Sequence, residues 1–184
     1  TAIRSEAENM QQLIEKLLFL ARADQKRQAV NKEAVDLAEL LADTIEKMHT
    51  VTTSHEVTLG RNDPATVSAD PVLLRQLLRI FLENSVKYTP PGGHIHAYSI
   101  RSNDGTSVTV TLSDDGIGIA PEHQSRIFDR FYRVDSSRTK ETGGSGLGLS
   151  IARWIAERHD IKLVLKSAVD EGTTITLNIP LIHE

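Results

Sequence analysis

Two pairs of alternating segments in the C-terminal half limit what this chain can fold into. "HIHAYSI" and "SVTVTLS" are joined by "RSNDGT", and "IKLVLKS" and "TTITLNI" are joined through "DEG". Apolar and polar residues in alternation mark a strand with one buried face, and Asp-Gly between two such runs marks a hairpin. A helical stretch at roughly 146–159 separates the pairs. Before them runs "DPVLLRQLLRIFLENSVKY", a helix that opens on an Asp cap with Pro at its first position and stops at "TPPGG". "HEVTLG" and "ATVSA" read as two further strands. This order predicts an α/β fold, a two-layer sandwich in which a mixed, mostly antiparallel sheet packs one face on helices.

The N-terminal part reads differently. Residues 1 to about 29 are helical by period and contain no Pro or Gly. Ile3, Met10 and Leu17 are seven apart, with Leu13 and Leu20 between them and Glu6 as the polar position of the seam. Two readings fit such a seam: a coiled-coil or bundle helix whose partners are partly absent, or a helix packed on its own domain. In "NKEAVDLAELLADTIEKM", Asp36 stands as an N-cap with Glu39 three later, ahead of an apolar face of Leu37, Leu40, Leu41 and Ile45. The pattern at residue 1 has no cap before it, which predicts a piece of a longer protein. The net charge of -4 argues against broad electrostatic binding to nucleic acid. With no cysteine, disulfides and thiolate metal sites are excluded. No apolar run approaches ~18 residues, so no membrane span is expected.

Three motifs carry chemistry. "LENSVKY" places Glu83, Asn84, Lys87 and Tyr88 at a helix end, with Asn84, Lys87 and Tyr88 spaced to share one face. An amide oxygen suits a hard cation such as Mg²⁺, and a lysine suits a phosphate; an ordinary solvated helix face fits as well. In "SDDGIGIAPEH", Asp114 ends a strand, and Gly116 and Gly118 follow. A carboxylate there can accept a hydrogen bond from an exocyclic amine, while the glycines let backbone approach a flat ring; an Asp-Gly turn is the plainer reading. In "TGGSGLGLSIARW", Gly144, Gly146 and Gly148 clear side chains from a helix start whose N–H groups can meet phosphates, with Ser145 able to add a hydroxyl. A hinge is the alternative. No Lys follows the glycines, so this is no Walker loop, and no strand precedes them, so it is no dinucleotide fingerprint. Between the last two motifs, Phe128, Phe131 and Tyr132 can anchor a lid or fill the core, with Arg133, Arg138 and Lys140 in reach of phosphates.

The succession "LENSVKYT", "DDGIGI", "IFDRFYR", "GGSGLGLSI" resembles the N, G1, F and G2 boxes of bacterial sensor histidine kinases. The resemblance covers residues ~35 to 182 as a catalytic ATP-binding domain of the Bergerat fold. "MQQLIEKLLFLARAD" resembles the second helix of the family's dimerisation and phosphotransfer hairpin. It implies two parts, 1–34 as that helix with its linker and 35–184 as the catalytic domain. It further implies ATP and Mg²⁺ as ligands. Asn84 would bind Mg²⁺, Asp114 would read adenine, and Gly116 and Gly118 would shape the base pocket. Lys87, Tyr88 and Arg133 would lie by the nucleotide, with Gly144, Ser145, Gly146, Leu147 and Gly148 along the triphosphate. Glu83 would act as base or orienter; in the alternative, a gyrase- or chaperone-like ATPase, it would be the general base. Expected partners are the phosphoacceptor hairpin helix, a response regulator and a second copy in the full-length protein. The implied setting is a soluble, cytoplasmic fragment of a membrane sensor.

The sequence departs from the pattern at Ile80, where the family often has Asn, and at Asp115, where Asn is common. No histidine stands in the family's His-Glu/Asp-x-x-x-Pro setting: His55 and His159 lack the Pro and read as surface or helix-end residues, and His94 and His96 alternate on a strand. A chain without the acceptor is expected to bind ATP but not to phosphorylate itself.

Overall fold

The computed structural model describes residues 2–134 and 144–182, with side chains from residue 4 onward. The elements are α1 (Ala2–Asp24), β1 (Glu33–Asp36), α2 (Leu37–Val51), β2 (Glu56–Asn62), β3 (Thr66–Ala69), α3 (Pro71–Tyr88), β4 (His94–Arg101), β5 (Ser107–Asp114), α4 (Pro121–Gln124), α5 (Gly148–Arg158), β6 (Lys162–Ala168) and β7 (Gly172–Pro180). Five strands form one sheet in the order β2-β4-β5-β7-β6. β2 and β4 pair in parallel, and the other pairs are antiparallel. This is the mixed sheet the alternation predicts. A parallel pair cannot close through a hairpin. The chain between β2 and β4 therefore crosses over, and α3 lies in that crossover.

The crossover lays α3 on the sheet. Leu74, Leu77, Leu78 and Leu82 are fully buried in one core with Ile95 and Ala97 of β4, Val110 and Leu112 of β5, and Leu177 of β7. Each such leucine contributes about 1.5–3 kcal/mol through burial. The ends of α3 are fixed by polar groups. Asp70 Oδ1 accepts from the N–H groups of Val72 and Leu73 at 3.0 and 3.1 Å. The Asp70 N–H in turn donates to His159 Nε2 at 3.0 Å, while His159 Nδ1 donates to the Ile155 carbonyl at 2.8 Å. At the other end His55 Nε2 meets the Thr89 carbonyl at 2.8 Å. His159 is thus a helix-end residue, as expected, but a buried one, only 3% exposed.

Two expectations on the N-terminal part are corrected. α1 ends at Asp24, not near 29. Lys26 takes φ +56, its N–H donates to the Ala23 carbonyl, and Arg27 N–H donates to the Arg22 carbonyl. This left-handed cap satisfies the last carbonyls and stops the helix without Gly or Pro. β1 was not anticipated; with one buried residue, Val35, it is too short to show a period, and it pairs with β3. The Asp36 cap is as read, accepting from Glu39 N–H at 3.0 Å. The seam of α1 divides. Met10, Leu13 and Leu17 are exposed together with Ile14 and Leu18, whereas Leu20 and Ala23 are buried. There Phe19 meets Trp154 of α5 edge to face at 5.2 Å, and Asp24 binds Arg130 through two hydrogen bonds of 2.6 and 2.8 Å. Among the described residues no helix is long and apolar enough to cross a membrane.

Candidate functional site

The end of α3, the end of β5 and the start of α5 meet on the helix side of the sheet. Asp114 is the last residue of β5, between β4 and β7. Its Oδ1 accepts from Gly116 N–H at 3.0 Å and Thr173 N–H at 3.2 Å, and its Oδ2 from the Ser85 hydroxyl at 2.7 Å. Burial pushes the Asp114 carboxyl above the usual range, while the Ser85, Gly116 and Thr173 hydrogen bonds oppose that shift. Ser85 and Thr173 were not singled out from the sequence. Ser85 carries a signal that could have found it: a polar residue four after Phe81 and seven after Leu78, on the buried stripe of α3.

The glycines after Asp114 make their close approach to the chain itself. A Cβ on Gly116 would sit 2.5 Å from the Tyr88 carbonyl oxygen, 2.8 Å from Thr89 Oγ1 and 2.9 Å from Asp114 Oδ1. At Gly118, with φ +67, a Cβ would collide with the Ala168 carbonyl. Both therefore seat the 115–118 turn on α3 and on the β6–β7 corner. Thr89 Oγ1 is buried there with no hydrogen-bond partner among the described residues. Such an orphan is uncommon in native structures and marks a place where a water or ligand belongs. Asp115 points away from this group; its carboxylate takes the His94 N–H and Nδ1, each at 2.7 Å. His94 is shifted upward in consequence, mainly by its hydrogen bond to Asp115.

The cationic side lies one turn along. Lys87 is half-buried, and its ammonium is pushed below the usual lysine range by burial and then by the nearby charge of Arg133. A Cβ on Gly144 would collide with Lys87 Nζ, so the glycine segment passes directly against that ammonium. Tyr88 stands beside it, with Lys87 Nζ 5.2 Å from its ring. Gly146 has φ +68, and a Cβ there would sit about 3.0 Å from the Phe131 and Tyr132 backbone; its carbonyl accepts from Phe131 N–H at 2.9 Å. Ser145 Oγ is buried without a partner among the described residues. α5 begins at Gly148 with no side-chain cap, which leaves its first N–H groups for an anion. The side chain of Leu147 is fully buried in the core, so only its main chain can face a phosphate.

The remaining expectations divide. Asn84 is half-buried, and its amide has no hydrogen-bond partner among the described residues. An uncommitted amide oxygen fits a hard cation. Glu83 is exposed and paired with Arg79 at 3.1 Å rather than held over Asn84. Phe128 packs against the core, Tyr132 is held by His123 Nδ1 at 2.6 Å, and Phe131 is 61% exposed. Arg138 and Lys140 lie outside the described residues. No group of three His, Asp or Glu suited to a metal occurs among the described residues. A groove of about 550 Å³, lined in part by Phe128, lies between α1, the 128–130 turn and α5, away from Asn84, Lys87 and Asp114.

Residues 69–183 match the family described as histidine kinase-, DNA gyrase B-, and HSP90-like ATPase. Among curated proteins, the chain is 34% identical to the sensor histidine kinase WalK of Bacillus subtilis strain 168, over 98% of this chain and 30% of that protein. It is 36% identical to YkoH, another sensor histidine kinase of that strain, over 96% of this chain and 38% of that protein. It thus spans well under half the length of these relatives. Among solved structures it resembles the mycobacterial sensor histidine kinase MprB, with TM-score 0.72 and 26% identity over 84% of this chain and all of that one. It also resembles full-length ShkA in complex with AMPPNP, with TM-score 0.86 and 26% identity, over all of this chain and 38% of that one.

Proposed function

Because the chain belongs to the histidine kinase-, DNA gyrase B- and HSP90-like ATPase family, we propose that it is the ATP-binding catalytic fragment of a two-component sensor histidine kinase. Its role is to move the γ-phosphoryl of ATP to a histidine of a phosphoacceptor hairpin, from which an aspartate of a response regulator receives it. Residues 1–34 are then the second hairpin helix and linker, and 35–184 the catalytic domain. The full-length protein is a dimeric membrane sensor, and this part faces the cytoplasm. The observation that carries the reading is that the end of α3 touches both glycine segments, Gly116 at Tyr88 and Gly144 at Lys87. A half-buried carboxylate, Asp114, stands on one side, and Lys87, Arg133 and the uncapped start of α5 stand on the other.

Phosphoryl transfer needs mainly position and charge neutralisation from a protein. Asp114 accepts from the exocyclic amine of adenine and fixes the base. Lys87 and Arg133 carry positive charge to the phosphates, and the first amides of α5 donate to their oxygens. Asn84 is the residue that holds Mg²⁺, which when bound neutralises the phosphate charge. The neutral imidazole lone pair forms the N–P bond as the bond from γ-phosphorus to the ADP oxygen breaks. Glu83 can orient that imidazole once its carboxylate leaves Arg79.

The test is calorimetric titration of ATP, with and without Mg²⁺, into the chain and into Asp114→Asn. Binding that strengthens with Mg²⁺ and falls at least tenfold in the variant is expected, since a hydrogen bond to a charged group is worth about 1.5–3 kcal/mol. Equal affinity in the variant would remove the base assignment. Steady ATP hydrolysis without a hairpin, lost in Glu83→Ala, would favour the ATPase alternative.

A further inference from the structure

The Asp114 carboxylate has about four positions for hydrogen-bond donors. Three are taken: two on Oδ1 by the Gly116 and Thr173 amides, and one on Oδ2 by the Ser85 hydroxyl. Among the described residues one acceptor position remains, on Oδ2. The two amides reach only Oδ1, so the open position lies on the oxygen that Ser85 shares. Ser85 is the donor on Oδ2 among the described residues, and its hydroxyl decides which side of that oxygen stays open.

Ser85 is itself well placed to hold that oxygen. It is 8% exposed and lies in the last turn of α3, where its carbonyl also accepts the Thr89 N–H. It occupies a stripe otherwise made of Leu74, Leu78, Phe81 and Leu82. An alanine would fill nearly the same space, and a buried hydroxyl without a partner would cost free energy. Its single proton is committed to Asp114 at 2.7 Å.

We infer that Ser85 is a positioning residue for base selection: it aims the one free acceptor of Asp114 at the 6-amino group of adenine. This rests on the assignment of Asp114 to the base. It also predicts selectivity. A purine with an oxygen at position 6 would set an acceptor against an acceptor and be rejected.

The experiment compares two nucleotides, ATP and purine riboside triphosphate, which lacks the 6-amino group. Both are titrated with Mg²⁺ into the wild-type chain, Ser85→Ala and Ser85→Thr, after thermal unfolding confirms that each folds. Should Ser85→Ala not fold, Ser85→Cys, similar in size with a weak donor, replaces it. The expected result is that Ser85→Ala binds ATP roughly three- to tenfold more weakly, the range of one hydrogen bond. Its affinity for the amine-free nucleotide stays unchanged, and Ser85→Thr recovers ATP binding. Equal loss for both nucleotides would make Ser85 merely structural and overturn the inference, as would unchanged ATP affinity in Ser85→Ala. A wild type that does not distinguish the two nucleotides would overturn the Asp114 assignment as well.

Discussion

Replacing His159 by leucine tests the joint between α5 and α3. The histidine is neutral with its proton on Nδ1, because Nδ1 donates to Ile155 and Nε2 accepts from Asp70. Leucine keeps most of the volume, so the main loss is polar. The Ile155 carbonyl still receives the backbone N–H of residue 159, but the Asp70 N–H is left buried and unpaired. An orphaned buried donor and a lost hydrogen bond together cost about 2–3 kcal/mol. For a chain of this size that lowers Tm by roughly 4–12 °C. The loss has a pH signature. Burial holds His159 below its ordinary value of 6.5 in the fold. Its folded pKa is depressed, so its contribution is complete above about pH 6.5 and declines as pH falls toward the folded value. Urea unfolding followed by circular dichroism from pH 8 to 5.5 should show the gap between wild type and His159→Leu widest at the alkaline end. It should narrow by up to ~1.4 kcal/mol per pH unit below 6.5. A gap that stays constant across this range would refute the neutral, doubly bonded histidine.

Three further expectations are open to simple assays. Gly146→Ala must place a Cβ at φ +68 against the Phe131 backbone, at a cost of ~1–2 kcal/mol. Gly148→Ala meets only Ile80 Cγ2 at 3.6 Å; thermal unfolding should therefore fall by several degrees in the first and not in the second, and equal transitions would contradict the packing. Phe19→Ala removes the ring edge from Trp154, the single tryptophan. Its emission should shift to the red, and an unchanged spectrum would mean that α1 does not rest on α5 in solution. Finally, Leu17→Lys on the exposed seam should leave the midpoint within about 0.5 kcal/mol of wild type; a large loss would show that the seam is covered.

Where the period was long, the fold was legible. The two hairpins, α3 with its Asp-Pro start, and α2 behind Asp36 all stand where alternation and capping put them. β1 escaped because four residues with one buried side chain show no period. The end of α1 escaped because Lys26 supplies a left-handed cap that sequence patterns associate with glycine. In the site, Asp114, Lys87 and the start of α5 were legible as motif residues. What surrounds them was not. Ser85 and Thr173 reach Asp114 from α3 and β7, 29 and 59 residues away along the chain. Only the sheet order brings those segments together. The pairing of Glu83 was not legible either: Arg79, one turn earlier on the same helix, takes its carboxylate.

The contact between α1 and α5 has a mechanical consequence. Taken as a rigid rod pivoting where Phe19 meets Trp154, α1 has unequal arms. The arm to Ala2 is about 25 Å and the arm to Asp24 about 7.5 Å, at ~1.5 Å per residue. A sideways swing of about 5 Å at the far end reaches Asp24 as about 1.5 Å. That is enough to part the bonds of 2.6 and 2.8 Å to Arg130. Arg130 directly precedes Phe131, whose N–H is tied to Gly146. A swing of the far end of α1 would thus arrive, geared down roughly threefold, at the Arg130–Phe131 backbone that bonds to Gly146.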